Sequence, residues 1–174
     1  MVLLPGVKAQ NTVSYRMVLD DRQVPKEVIA GFNAKYPGDL FTIWYSSHIT
    51  YWYEDYAQNW YGEWYPKRQV VVHRFEKPAY YEVDFRIDNL PSRAIFNRYG
   101  QWIETRAKLS TLPDAVTTGL RNSEFGDWLW SAHKERIEIL GNEGLIYRLV
   151  VTDRRNTYIV RLNEAGEIVQ VKYE

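Results

Sequence analysis

The sequence predicts an α+β protein in which tandem helix-plus-four-strand repeats form one curved antiparallel sheet with both helices on one face. Three observations predict it. The wording of the chain recurs: Val24-Pro25-Lys26-Glu27-Val28 is echoed 88 residues later by Leu112-Pro113-Asp114-Ala115-Val116. Further on, Phe96-Asn97-Arg98-Tyr99-Gly100 is echoed 66 residues later by Leu162-Asn163-Glu164-Ala165-Gly166. After each helical pattern the apolar period changes to two, the signature of half-buried strands. A single unit of this size, with one three-turn helix over part of a sheet, buries too little surface to stand alone. Two units side by side can join their sheets, leaving the face opposite the helices open. The 22-residue difference between the two offsets places an insertion in the first unit, between its helix and its last hairpin. The predicted organisation is a lead-in over 1–22, a first unit over 23–108 carrying an insertion at 44–65, and a second unit over 109–174.

Taken in order, residues 1–10 look like the tail of a secretory signal: a short apolar run, Pro5-Gly6, then Val7 and Ala9 spaced as small residues before a cleavage point. Two readings stay open, a mature start near Gln10 with the leader extending upstream, and an ordinary frayed terminus. Tyr15, Met17 and Leu19 alternate with Arg16 and Val18, predicting a short strand. Val24, Val28, Phe32 and Tyr36 recur every four residues and predict a helix over 24–36, with Pro25 in its first turn and Pro37-Gly38 stopping it. Leu112, Val116 and Leu120 form the second stripe, with Thr111 and Asp114 as a T-x-x-D cap and Gly126 beyond its end. Tyr81, Val83 and Phe85 alternate with Glu82 and Asp84, so one face is predicted buried and the other wet; Tyr147, Leu149 and Val151 take the equivalent places. A turn at 153–156 leads into a strand over 157–162. Each unit closes with an N-x-x-G turn, Asn97 to Gly100 and Asn163 to Gly166, followed by strands over 101–107 and 167–173.

Composition excludes several functions. Lys plus Arg equals Asp plus Glu at 22 each, so no basic excess points to nucleic acid. Pairs such as Lys67-Arg68 and Arg154-Arg155 read as solvated turns. Cysteine is absent, which removes disulfides, thiolate nucleophiles and cysteine zinc sites. No apolar run reaches the roughly 18 residues of a membrane-spanning helix.

The V-P-x-x-V helix start, Lys35-Tyr36-Pro37-Gly38, the Y-E-V-x-F strand at Tyr81 to Phe85 and the F-N-x-x-G-x-W turn at Phe96 to Trp102 together resemble the PepSY-like family. That family is itself similar to β-lactamase inhibitor protein. The resemblance covers about residues 23–174 in two copies. It implies the fold described above, a periplasmic or secreted bacterial protein and, for most members, no known activity. In the inhibitor relatives the open sheet face grips a partner protein with aromatic side chains. The chain departs from them in lacking any disulfide and in its insertion, which puts β-lactamase itself in doubt as the target.

The insertion holds ten rings in 22 residues: Trp44, Tyr45, Tyr51, Trp52, Tyr53, Tyr56, Trp60, Tyr61, Trp64 and Tyr65. Asp55 to Asn59 reads as the tip of an extended hairpin. Each ring side chain can bury roughly 150–250 Å², and a soluble monomer rarely exposes an apolar patch beyond a few hundred Å². The rings therefore either brace the hairpin by cross-strand pairing, or form a surface that a partner covers. The candidate binding residues are Trp44, Tyr51, Trp52, Tyr53, Tyr56, Trp60, Tyr61, Trp64, Tyr65 and, extending the surface from the second unit, Trp128. Trp130 shares a predicted strand face with Trp128, and core packing is expected for at least one of the two. The expected partner is an extracytoplasmic protein or peptide, with a glycan stacked on the rings, or self-association through the hairpin, as alternatives.

No catalytic pattern emerges. His48, His73 and His133 lie far apart without ligand spacing. Ser46, Ser47 and Ser92 lack a nucleophile elbow. Asp20-Asp21 and Glu54-Asp55 read as solvated turn acids, and the ten glycines form no phosphate loop. A non-catalytic binding module without cofactor or metal is the expectation.

Overall fold

A computed structural model of the chain describes residues 16–47, 78 and 80–173. Strand β1 (Arg16–Leu19) leads into helix α1 (Lys26–Lys35), followed by β2 (Ile43–Ser47), β3 (Tyr80–Ile87), β4 (Leu90–Asn97) and β5 (Trp102–Leu109). Helix α2 (Asp114–Arg121) precedes β6 (Leu129–Ile139), β7 (Ile146–Thr152), β8 (Thr157–Asn163) and β9 (Ile168–Tyr173). Among the described residues, nine strands join one antiparallel sheet in chain order. The α+β expectation holds, and each helix is followed by four strands.

Register assigns the faces. Trp44 pairs with Val83, Val83 with Ala94, and Ala94 with Thr105, so these share the side that α1 covers. Val28 and Phe32 of α1 pack there with Val24, Trp44, Tyr81, Val83, Phe85, Ala94 and Phe96. Phe32 sits at the centre, edge-on to Phe85 at 5.0 Å and to Trp44 at 5.4 Å. Helix α2 repeats the plan with Val116 and Leu120 against Tyr147, Leu149, Val151, Val160 and Leu162. The β5–β6 pairing, Thr105 opposite Glu138 and Arg106 opposite Ile137, carries the same two faces across the middle of the sheet.

The helix stripes are the residues the sequence indicated, but both helices are shorter at their starts. Val24 packs before α1 begins, because Pro25 takes the N-cap position without a side-chain cap. The T-x-x-D cap is likewise corrected: Pro113 holds the N-cap place of α2, Asp114 is already helical, and no side chain caps it. Gly126 lies past the C-cap residue Asn122, in a turn where its N–H donates to Ser123 O at 3.1 Å.

Both N-x-x-G turns form as predicted. The Asn97 side-chain oxygen accepts from the N–H groups of Tyr99 and Gln101 at 2.9 and 3.0 Å, and Asn163 does the same for Ala165 and Glu167, both at 3.0 Å. Gly100 and Gly166 take φ of +80° and +84°. Each turn touches its helix backbone to backbone. A Cβ on Gly31 would stand 2.0 Å from Gly100 O, and one on Gly119 would stand 1.9 Å from Gly166 O. The β3–β4 hairpin went unnoticed in the sequence. Its turn uses Asp88 and Asn89 at φ of 50° and 64°, residues that tolerate the left-handed region without being glycine.

A polar seam ties α1 to the middle of the sheet. Lys35 pairs with Glu138 of β6 at 2.5 Å and lies 3.9 Å from the Trp102 ring centroid. The Tyr36 hydroxyl bonds to Thr105 Oγ1, which also accepts from Trp102 Nε1 at 2.7 Å. Burial, reinforced by the Glu138 charge against the opposing Thr105 bond, pushes the Tyr36 phenol up to about 12. Between pH 10 and 12 the folded chain therefore keeps a proton that the unfolded chain has lost, so stability falls as pH rises through that window. Absorbance titration at 295 nm should show a tyrosine ionising near pH 12 that Tyr36→Phe removes. A variant with an unchanged last phase would place the late tyrosine elsewhere.

Candidate binding surface

The expected ring surface begins at Trp44 and Tyr45, and strand alternation separates them. Trp44 is 3% exposed and belongs to the first core, which corrects its assignment as a binding residue. Its neighbour Tyr45, opposite Glu82, lies half-buried on the face away from the helices, with the Arg93 guanidinium 6.0 Å from its ring centroid. The remaining candidates, Tyr51, Trp52, Tyr53, Tyr56, Trp60, Tyr61, Trp64 and Tyr65, lie outside the described residues, as do the hairpin tip at 55–59, His48 and His73. The residues flanking them are placed: Ser47 and Tyr80 are directly opposed at the open end of the β2–β3 pair.

Trp128 does not extend a surface on the face away from the helices. It precedes β6 and packs half-buried on the second core, its ring 5.2 Å from Phe125 and 5.6 Å from Tyr158. Trp130 packs on the same core and donates from Nε1 to Phe125 O at 3.0 Å. The shared strand face expected for the two residues is corrected, since only Trp130 lies in β6. His133 is exposed on β6, and among the described residues no group of three or more His, Cys, Asp or Glu could hold a metal.

The face opposite the helices differs most from expectation. Glu82 was assigned to a wet face, yet it is 1% exposed. It belongs to a band of buried and half-buried charges running across the strands, each placed there by the same alternation. Arg93 pairs with Asp84 at 2.6 Å and lies 3.8 Å from Glu82. Arg106 binds Glu104 and lies 4.0 Å from Glu135, whose same oxygen accepts from Arg148 at 3.1 Å. Beyond Arg148, directly opposite it on β8, stands Arg161. Four carboxylates and four guanidiniums thus form the band, and Ile95, Ile137 and Ile159 fill the places between them.

Burial holds the Glu104 carboxyl above the usual range, against the opposing pull of Arg106. Arg161 is pulled down to about 10, by burial first and by the like charge of Arg106 next. The signal was present in the sequence as charges at alternate strand positions: Glu82, Arg93, Glu104, Arg106, Glu135, Arg148 and Arg161. Reading strand charges as solvent-facing concealed it.

A nine-stranded open antiparallel sheet with two helices on one face defines the class of β-lactamase-inhibitor-protein-like α+β folds. Solved structures place the chain in that class of fold. It is similar to a BLIP-like protein from Bacteroides fragilis NCTC 9343, at 15% identity over 86% of each chain with a TM-score of 0.59. A DUF2874 family protein from Bacteroides uniformis ATCC 8492 shares 17% identity over 86% of this chain and 88% of its own, with a TM-score of 0.57. A protein from Bacteroides eggerthii DSM 20697, whose description proposes a periplasmic location, matches with the same identity and coverage at a TM-score of 0.56. No protein-family model and no curated protein matches the chain.

Proposed function

We propose that the chain is a non-catalytic recognition module of inhibitor-like type, working outside the cytoplasm of a bacterium, and that it binds a protein or peptide. Its recognition element is the ring-rich segment holding Tyr51, Trp52, Tyr53, Tyr56, Trp60, Tyr61, Trp64 and Tyr65, joined to the exposed parts of the sheet face opposite the helices. One observation carries this reading: both helices cover the same side of the sheet, and the ring-rich segment is inserted between the paired ends of β2 and β3. Tyr45 on the opposite side lies next to that insertion point, which puts an aromatic ring at the start of the proposed surface. Trp and Tyr dominate binding hot spots because each removes a large rigid surface from water at small entropic cost. The periplasmic setting proposed for a neighbour of the same fold supports the location.

The same reading includes the two tandem PepSY-like units, 23–108 and 109–174. Equivalent helix–turn contacts recur at the offsets of the sequence echo: Glu27 and Ala115 each face the Cα of the turn glycine, Gly100 and Gly166. Affinity capture from the native envelope fraction, followed by titration with the purified captured protein, tests the function. Trp52→Ala/Trp60→Ala/Trp64→Ala should weaken binding at least tenfold while the circular dichroism spectrum stays that of wild type. A folded triple variant with undiminished affinity would remove the ring segment from recognition.

A further inference from the structure

We propose that the β8–β9 end of the sheet face opposite the helices receives a carboxylate carried on the surface of a protein partner, with Arg161 as its anchor. The inference rests on the recognition reading above and gives the partner a chemistry. Its basis is a charge imbalance fixed by the register. Among the described residues, three guanidiniums, Arg106, Arg148 and Arg161, and two carboxylates, Glu104 and Glu135, stand around the middle of the band. Glu104 is engaged by Arg106, and Glu135 is shared by Arg106 and Arg148. Arg161 is the third cation. Among the described residues no carboxylate lies within ion-pair distance of it, and its Nε–H is buried with no acceptor.

Its strand neighbours sharpen the demand. Arg148 lies directly opposite on β7, and like charges in directly opposed positions repel. On the other side the partner position is Gln170 of β9, which is neutral and exposed. The adjoining row on the same face is Val150, Ile159 and Lys172, two apolar side chains and an exposed cation. An incoming carboxylate would meet the Arg161 fork, a side-chain amide and an ammonium above an apolar floor, where low dielectric strengthens the attraction. Burial first, and the like charge of Arg106 next, lower the proton affinity of Arg161.

The setting favours a protein-borne carboxylate over a free anion. Gln170 and Lys172 are exposed on β9, the last strand in the sheet order, and among the described residues none closes over them to enclose a small ion. A carboxylate presented by a folded surface is held in register by the contacts around it.

The test is an NMR titration of the Arg161 side-chain Nε–H, assigned by its disappearance in Arg161→Lys. The probes are an N-acetylated, C-amidated triglutamate peptide, the matching triglutamine peptide and inorganic phosphate. The expected result is a saturable shift with triglutamate, none with triglutamine, and a response to phosphate at least fivefold weaker. Arg161→Gln should abolish triglutamate binding while keeping the wild-type fold by circular dichroism. A flat triglutamate titration, or phosphate binding as tightly, would overturn the proposal. The Trp52→Ala/Trp60→Ala/Trp64→Ala variant should bind triglutamate like wild type, so loss of the ring surface and loss of the Arg161 site register separately.

Discussion

Gly100→Ala and Gly166→Ala should each lower the unfolding free energy by far more than a solvent-exposed turn glycine would. Both residues sit in the left-handed region, which costs a residue with a Cβ about 1–2 kcal/mol. Each also abuts a helix: the new Cβ would stand 2.0 Å from Glu27 O at Gly100 and 2.3 Å from Ala115 O at Gly166. Those neighbours are backbone and cannot swing aside, so an overpacking cost of about 1–3 kcal/mol adds to the first. Gly141 separates the two contributions. It has φ of +78° and nothing within 4 Å of its Cβ position, so Gly141→Ala should show the conformational cost alone. Urea unfolding of the three variants measures the difference. Equal losses at all three positions would mean that the helix–turn approach contributes nothing.

The same contact explains why much of the fold was legible. A glycine that must admit a helix carbonyl, three residues after an Asn that closes the turn, leaves a fixed pattern in the chain, and the pattern occurs twice. The helix stripes were legible because Val28, Phe32, Val116 and Leu120 are apolar at a spacing only a helix brings to one side. Helix starts were not legible: Val24 and Leu112 pack on the cores from outside the helices and so extend the apparent period.

The candidate site was legible only in part. Strand alternation should have assigned Trp44 inward and Tyr45 outward, but a dense run of rings hides its own period. The charged band was misread because alternating charges normally mark water. Here both faces of the central strands are buried, Val83 at 0% and Glu82 at 1% exposed, and nothing in a local pattern of two residues separates that case from a wet face.

The charged band gives the second large effect. Glu135 is 1% exposed and one of its oxygens serves both Arg148 and Arg106, while the other is buried with no hydrogen-bond partner among the described residues. Glu135→Gln keeps the shape and removes the charge. Arg106 and Arg148 would then lose the carboxylate charge they share, and breaking a buried pair from one side costs about 3–5 kcal/mol. The change should also alter the pH dependence. The Glu104 carboxyl is held high by burial first, and the Glu135 charge adds to it. A raised carboxyl means the folded chain binds more protons than the unfolded one, so this group's contribution to stability declines as pH climbs from the ordinary carboxylate range through the folded value. Without the Glu135 charge that window narrows, and the decline above the ordinary range should flatten in urea unfolding measured across pH. Replacing the whole group, Glu104→Leu/Arg106→Met/Glu135→Leu/Arg148→Met, should cost far less than Glu135→Gln, because apolar side chains of similar volume avoid the desolvation that the charges carry. A quadruple variant as unstable as the single one would show that the ions stabilise the sheet in their own right. A stable quadruple variant that no longer binds triglutamate would show instead that the band is kept for the potential it sets around Arg161.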